Sequence, residues 1–148
     1  MTRWKGQTGR MTNGRPKVIV VDAANVIGSR PDGWWRDRPG AARRLLRKLA
    51  VLQEALHDTT DIIVVLEGAA RAAVSGPDAP DTGTPQVVLA PGSGDDAIVT
   101  VAEDATAQPH HPNVTVVTAD RGLRDRLPPT ATSEGPSWLL TQLDELPR

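Results

Sequence analysis

The run Val18-Ile19-Val20-Val21 constrains this chain more than any other stretch. Four consecutive β-branched residues without polar alternation read as a strand covered on both faces, the pattern of a parallel sheet packed between helices. The run closes in Asp22-Ala23-Ala24-Asn25. An acid at the carboxyl end of a central strand in an open α/β sheet points at the crevice where such sheets bind ligands. Two later segments repeat the design. Val87-Val88-Leu89 leads to Gly92-Ser93-Gly94-Asp95-Asp96, and Val114-Thr115-Val116-Val117 leads to Thr118-Ala119-Asp120. If these strands are parallel neighbours, their carboxylates meet at one edge of the sheet.

The rest of the chain supplies the alternation that such a sheet needs. Strands are expected over 17–22, 61–67, 86–90 and 113–118, with a short fifth near 130–133. A helix is expected from Pro39, which suits a first helical position, to about His57. Ala42, Leu45, Leu46, Leu49, Leu52 and Leu56 form its apolar stripe. A second helix spans about 93–106, with Ile98, Val101, Ala102 and Ala105 inward. A short one covers 120–127, and a last one, Pro136 to Leu146, buries Trp138, Leu139 and Leu143. Residues 28–38 are too rich in Gly, Pro and charge to be regular, and 68–85 reads as a helical turn followed by a mobile loop. At 148 residues the expectation is one domain over 16–148, preceded by a flexible basic tail over 1–15. The fold class is α/β: a three-layer α/β/α sandwich around a mainly parallel sheet of four to five strands.

Composition narrows the chemistry. The chain has no Cys, Phe or Tyr, so disulfides and thiolate metal sites are excluded. No apolar run approaches the roughly 18 residues of a membrane span and no signal-peptide core opens the chain, so a cytoplasmic protein without membrane contact is expected. Charge is unevenly spread. Residues 1–58 carry 12 Lys/Arg against 5 Asp/Glu, and residues 59–148 carry 5 against 13. A basic half beside an acidic half suits a polyanion for the first and cations for the second.

Each strand-end acid has two uses open to it. Asp22 with Asn25 suits an Asx turn or helix cap. Asp95 and Asp96 suit the first turn of a helix, and Ser93 stands at capping-box spacing before Asp96. Asp120 suits a cap as well. Yet Asp95 lies three residues before Ile98 and seven before Ala102, which places it on the inward stripe at the mouth of the sheet. Carboxylates with no Cys and no nearby His suit a hard, oxygen-preferring ion, Mg²⁺ or Mn²⁺. His110 and His111 precede a strand, at the opposite edge of the sheet, and read as surface residues. Neither a P-loop nor a Gly-x-Ser-x-Gly elbow is present. Position 24, where an aspartyl-nucleophile phosphatase usually carries a second Asp, is Ala24.

Taken together, Val21-Asp22-Ala23-Ala24-Asn25-Val26-Ile27-Gly28, Gly94-Asp95-Asp96-Ala97-Ile98 and Val116-Val117-Thr118-Ala119-Asp120-Arg121-Gly122-Leu123 resemble the motifs of NYN domains. These are PIN-like ribonucleases, and the likeness is to their YacP-like branch, over about residues 17–145. The resemblance implies a PIN-like Rossmannoid fold and divalent-metal-dependent RNA cleavage leaving a 5′-phosphate. It implies Asp22, Asp95 and Asp120 as catalytic, metal-holding acids, Asp96 as a further ligand, and Asn25 and Thr118 as residues that orient them. Asp125 is the nearest counterpart of a further family acid. Glu67 stands near where relatives often carry Asp, and Ala24 replaces a common Tyr.

Cations follow directly after the first acid. Arg30, Arg36 and Arg38 lie in the 28–38 loop, and Arg43, Arg44, Arg47 and Lys48 form a ridge on the helix after it. They could hold RNA phosphates while the acids hold metal, with Trp34 and Trp35 stacking an unpaired base. The expectation is therefore a metal-dependent endoribonuclease acting on RNA, with ribosome-associated RNA and tRNA among the candidates and a homodimer left open. The alternatives are a non-catalytic RNA- or ribosome-binding module, the toxin of a toxin–antitoxin pair, and a metal-dependent phosphohydrolase of small nucleotides.

Overall fold

The computed structural model describes residues 14–75 and 85–146. Most of the expected tail and part of the 68–85 loop lie outside them. Five strands form one sheet: β1 (Lys17–Asp22), β2 (Thr60–Leu66), β3 (Gln86–Leu89), β4 (Asn113–Val117) and β5 (Thr132–Glu134). All pairings are parallel, in the order β3-β2-β1-β4-β5. The helices are α1 (Ala23–Gly28), α2 (Arg38–Ala55), α3 (Gly94–Thr106), α4 (Arg121–Arg126) and α5 (Pro136–Asp144). Short 3₁₀ turns cover Trp34–Arg36 and Gly68–Val74.

Successive strand residues face opposite sides of a sheet, and β1 and β2 divide their apolar residues accordingly. Ile19, Val21, Ile62, Val64 and Leu66 pack under α1, α2 and α5 with Leu45, Leu49 and Leu139. Val18, Val20, Ile63 and Val65 pack on the other side with Ile98, Val101 and Leu123 of α3 and α4. Three layers result, and the continuous β-branched runs are buried on both faces as the opening stretch required.

The expected elements appear within two residues of their places. Helix α2 begins one residue before Pro39, because Asp37 caps it by accepting from the Gly40 amide at 3.0 Å. All of its expected stripe is buried except Leu56, which is partly buried. Gln53 joins the buried set. Its amide donates to Thr60 O (2.6 Å) and accepts from Ile62 N (2.7 Å), clamping the start of β2 to the end of α2. Two features differ from expectation. A helix, α1, follows Asp22 immediately, and the irregular 28–38 segment contains the 3₁₀ turn entered through Gly33 at φ +87°.

The strand order also revises the simple picture of acid-bearing neighbours. β1 and β4 are adjacent, but β3 is the outer strand beyond β2. Helix α3 starts from that outer strand and packs across β2, β1 and β4. The side on which successive strands are added switches between β1 and β4: β2 and β3 lie on one side and β5 on the other. That is the topological switch point where open α/β sheets bind ligands. At the opposite edge, Arg15 donates to the His57 carbonyl and to Asp61 (2.9 Å), and His110 donates to Arg15 O. His110 and His111 thus lie away from the strand-end acids.

Candidate active site

Asp22 closes β1 and opens α1. One carboxylate oxygen, Oδ1, accepts from the Asn25 amide at 3.3 Å, a cap for the six-residue helix. The other, Oδ2, accepts from Thr118 Oγ1 at 2.9 Å. The residue is only 7% exposed. Burial, and then the negative charges of Asp95 and Glu67, push its carboxyl up to about 6, against the opposing pull of the two hydrogen bonds. A carboxylate is costly to hold in such a place without a cation.

Thr118 and Asn25 fix the loop that carries the next acid. Thr118 Oγ1 accepts from Asp120 N at 3.2 Å, and Asn25 Oδ1 accepts from Ala119 N at 2.8 Å. Arg124 forks the Thr118 carbonyl with Nε (3.0 Å) and Nη2 (2.8 Å). Asp120 in turn caps α4, accepting from Leu123 N at 3.0 Å. Capping and facing the crevice therefore coexist in Asp22 and Asp120.

Asp95 arrives from the other side of the crevice. Ser93 caps α3 by accepting from the Asp95 amide at 3.1 Å. Ile98 and Ala102, on the same stripe, are fully buried, and Asp95 itself is partly buried at the mouth. Its carboxyl is raised by that burial first, then by Asp120 and Glu67, with Arg126 opposing. Asp96 points elsewhere. Its side chain is 72% exposed and pairs with Arg126 at 2.7 Å. Asp125 is exposed on α4.

Glu67 is the member that motif reading passed over as a site residue. It follows β2, accepts a short hydrogen bond from the Gly94 amide, and ties the outer strand's helix to the centre of the sheet. Its charge acts on both Asp22 and Asp95. Its position after an apolar strand was a usable signal. Its hydrogen bond to Gly94 depends on strand order, which no local pattern shows.

Asp22 thus feels the charges of Asp95 and Glu67, and Asp95 those of Asp120 and Glu67, across the switch point. The donors are all oxygen, and the histidines lie at the other edge, which suits a hard divalent cation. Among the described residues, no three acidic or imidazole groups stand close enough to form a ready-made ligand set.

The expected cations divide between several settings. Arg30 pairs with Asp144 of α5 at 2.9 Å. Arg36 stands 6.0 Å from the Trp35 ring centre and Arg38 5.4 Å from that of Trp34. The two indoles meet edge to face at 5.8 Å. Trp34 is partly buried near Gly28, whereas Trp35 is 51% exposed. Arg43 turns toward the 68–74 segment and reaches the Ala72 carbonyl. Arg44 and Lys48 line a groove with Arg30, and Arg47 is exposed.

Neither a protein-family model nor a curated protein matches the sequence. Solved structures do. Rae1 (YacP) from Bacillus subtilis superposes with a TM-score of 0.65 at 20% identity, covering 86% of this chain and 74% of that one. A mutant of the same protein gives 0.65 at 18% identity, covering 86% and 75%. The chain has the fold of Rae1 (YacP), in line with the fold that its three strand-end motifs implied.

Proposed function

We propose that this protein is a divalent-metal-dependent endoribonuclease whose working acids are Asp22, Asp95 and Asp120. The observation that carries the reading is the arrival of four carboxylates, Asp22, Glu67, Asp95 and Asp120, at one edge of the sheet, where neighbouring negative charge and burial raise the carboxyls of Asp22 and Asp95. Like charges held together by a rigid scaffold are a common mark of a functional site. The ribonuclease-type fold shared with Rae1 (YacP) is consistent with it.

Asp22, Asp95 and Asp120 would hold Mg²⁺ or Mn²⁺, with Glu67 beside them and Asp96 a more distant ligand. The carboxylates would draw together on the ion, since none forms a finished set alone. Bound there, the ion supplies Lewis-acid polarisation of the phosphodiester and activation of water. Thr118 and Asn25 hold Asp22 and the 118–120 loop in register. Arg36, Arg38, Arg44, Arg47 and Lys48 would neutralise phosphates along the strand, and Trp35 offers its exposed face to a base.

The test is cleavage of single-stranded RNA by wild type, Asp95→Asn and Asp120→Asn, with and without Mn²⁺. Asparagine keeps shape, and at position 120 it remains a good helix cap, so folding is preserved. The reading requires cutting by wild type only with metal and a loss of at least about a hundredfold in each variant. Equal, metal-independent behaviour of all three proteins refutes it. A second reading, a non-catalytic RNA-binding module, is favoured by the absence of a ready-made ligand set among the described residues. It predicts RNA binding that is indifferent to both substitutions.

A further inference from the structure

Beside the acids, between α1 and α5, a groove of about 580 Å³ opens. That volume lies within the roughly 300–1,000 Å³ of small-molecule sites. Its inner end adjoins the acid cluster. Asn25 and Ala119 line it, and these two residues are bonded to each other and flank Asp22 and Asp120. The α5 wall presents Ser137, Leu140 and Thr141, which share one helix face by their spacing. The hydroxyls of Ser137 and Thr141 make no hydrogen bond among the described residues. An apolar side chain between two free hydroxyls matches a ribose, whose 2′-OH both donates and accepts.

Arg30 lines this groove and the adjoining basic one that holds Arg44 and Lys48. Its guanidinium is engaged by Asp144, but both side chains are about half exposed. An ion pair so open to water is weak and exchangeable, and a phosphate is a strong competitor for a guanidinium.

We infer that this groove seats one unpaired ribonucleotide next to the phosphodiester facing the acids, with Arg30 as its phosphate ligand. Asp144 holds Arg30 in place until RNA displaces it. The inference rests on the ribonuclease reading and adds a subsite that selects RNA over DNA.

The test is fluorescence anisotropy of the full chain with a labelled single-stranded RNA hexamer and its DNA counterpart, in EDTA so that nothing is cut. Ser137→Ala with Thr141→Val keeps shape and removes both hydroxyls. It should weaken RNA binding about tenfold, toward the affinity for DNA, and leave DNA binding unchanged. Arg30→Gln should weaken both ligands about tenfold or more. Asp144→Asn should tighten both about threefold, and this gain should vanish when Arg30→Gln is also present. An unchanged RNA-to-DNA ratio in the double hydroxyl variant overturns the inference, as does the absence of RNA binding by wild type. Metal-stimulated cutting without RNA-over-DNA selection sinks the groove alone. Selection without cutting sinks the ribonuclease reading alone.

Discussion

Thr118 Oγ1 donates a 2.9 Å hydrogen bond to Asp22 Oδ2, joining the ends of two neighbouring strands whose residues are 96 apart in sequence. The same oxygen accepts from the Asp120 amide at 3.2 Å. Thr118 is fully buried and Asp22 nearly so, so water cannot replace the bond between them. One hydroxyl therefore sets the spacing of two of the acids.

Thr118→Val removes that hydroxyl at nearly constant volume. It leaves a buried carboxylate oxygen and an amide unpaired, so stability should fall by about 1–3 kcal/mol in urea unfolding. Because the lost hydrogen bond favoured the charged form of Asp22, that group's pKa should rise further. The acidic limb of the cleavage pH profile should then move to higher pH. Thr118→Ser should restore both properties. A valine variant with wild-type stability and an unmoved profile would show that the bond is idle.

Asp22 predicts an unusual pH dependence in metal-free buffer. Its carboxyl stands at about 6 in the folded chain against a reference of 3.8. Between these values the folded state binds more protons than the unfolded one, so stability declines as pH rises through that window. Above it, the ionised group costs on the order of 3 kcal/mol. Asp22→Asn should accordingly be more stable than wild type by about 1–3 kcal/mol near pH 8, and the gap should close toward pH 4. Mn²⁺ should raise the melting temperature of wild type at about pH 8 and leave the variant unmoved. A gap of the same size at both pH values counts against the proposed cost of ionisation.

Sequence patterning carried the elements further than the site. Strand β1 has its expected bounds, and α2 keeps its expected stripe, because unbroken β-branched runs and leucines at helical spacing are local signals. Helix α1 was not legible: six residues, Ala23 to Gly28, are too few to show a period. The positions of Asp22, Asp95 and Asp120 at one sheet edge were legible because each terminates an apolar strand or opens the helix after one. The contributions of Glu67, Gln53 and Arg124 were not. Each depends on a partner brought near by strand order or helix packing: the Gly94 amide, the start of β2 and the Thr118 carbonyl.

Glu67 and Gly94 offer a paired test of that tertiary link. A Cβ at position 94 would lie 2.3 Å from Glu67 Oε2. Gly94→Ala must therefore push the carboxylate off the amide it holds. Glu67→Gln keeps an acceptor for Gly94 N but removes a charge that raises both Asp22 and Asp95. The glutamine variant should show near-wild-type stability, within about 0.5–1 kcal/mol, with the acidic limb of its pH profile moved to lower pH. The alanine variant should lose about 1–3 kcal/mol and much of its activity, because the helix that presents Asp95 loses its anchor. If glutamine shifts nothing, Glu67 is only a cap for the α3 backbone.

Trp35 separates RNA binding from folding. Its ring is about half exposed, it touches Trp34 edge to face, and Arg36 approaches it at 6.0 Å. Base–aromatic stacking is worth about 1–3 kcal/mol per base, so Trp35→Ala should weaken binding of single-stranded RNA by about tenfold to a hundredfold. Stability should change little, since exposed positions rarely contribute more than about 0.5 kcal/mol. Trp34 is the contrasting control. It is partly buried close to Gly28 at the end of α1, so Trp34→Ala should destabilise the fold before it affects binding. Anisotropy titrations and thermal melts on both variants decide the matter. If Trp35→Ala melts early and binds normally, the indole is a structural cover and the phosphate-binding cations alone hold the strand.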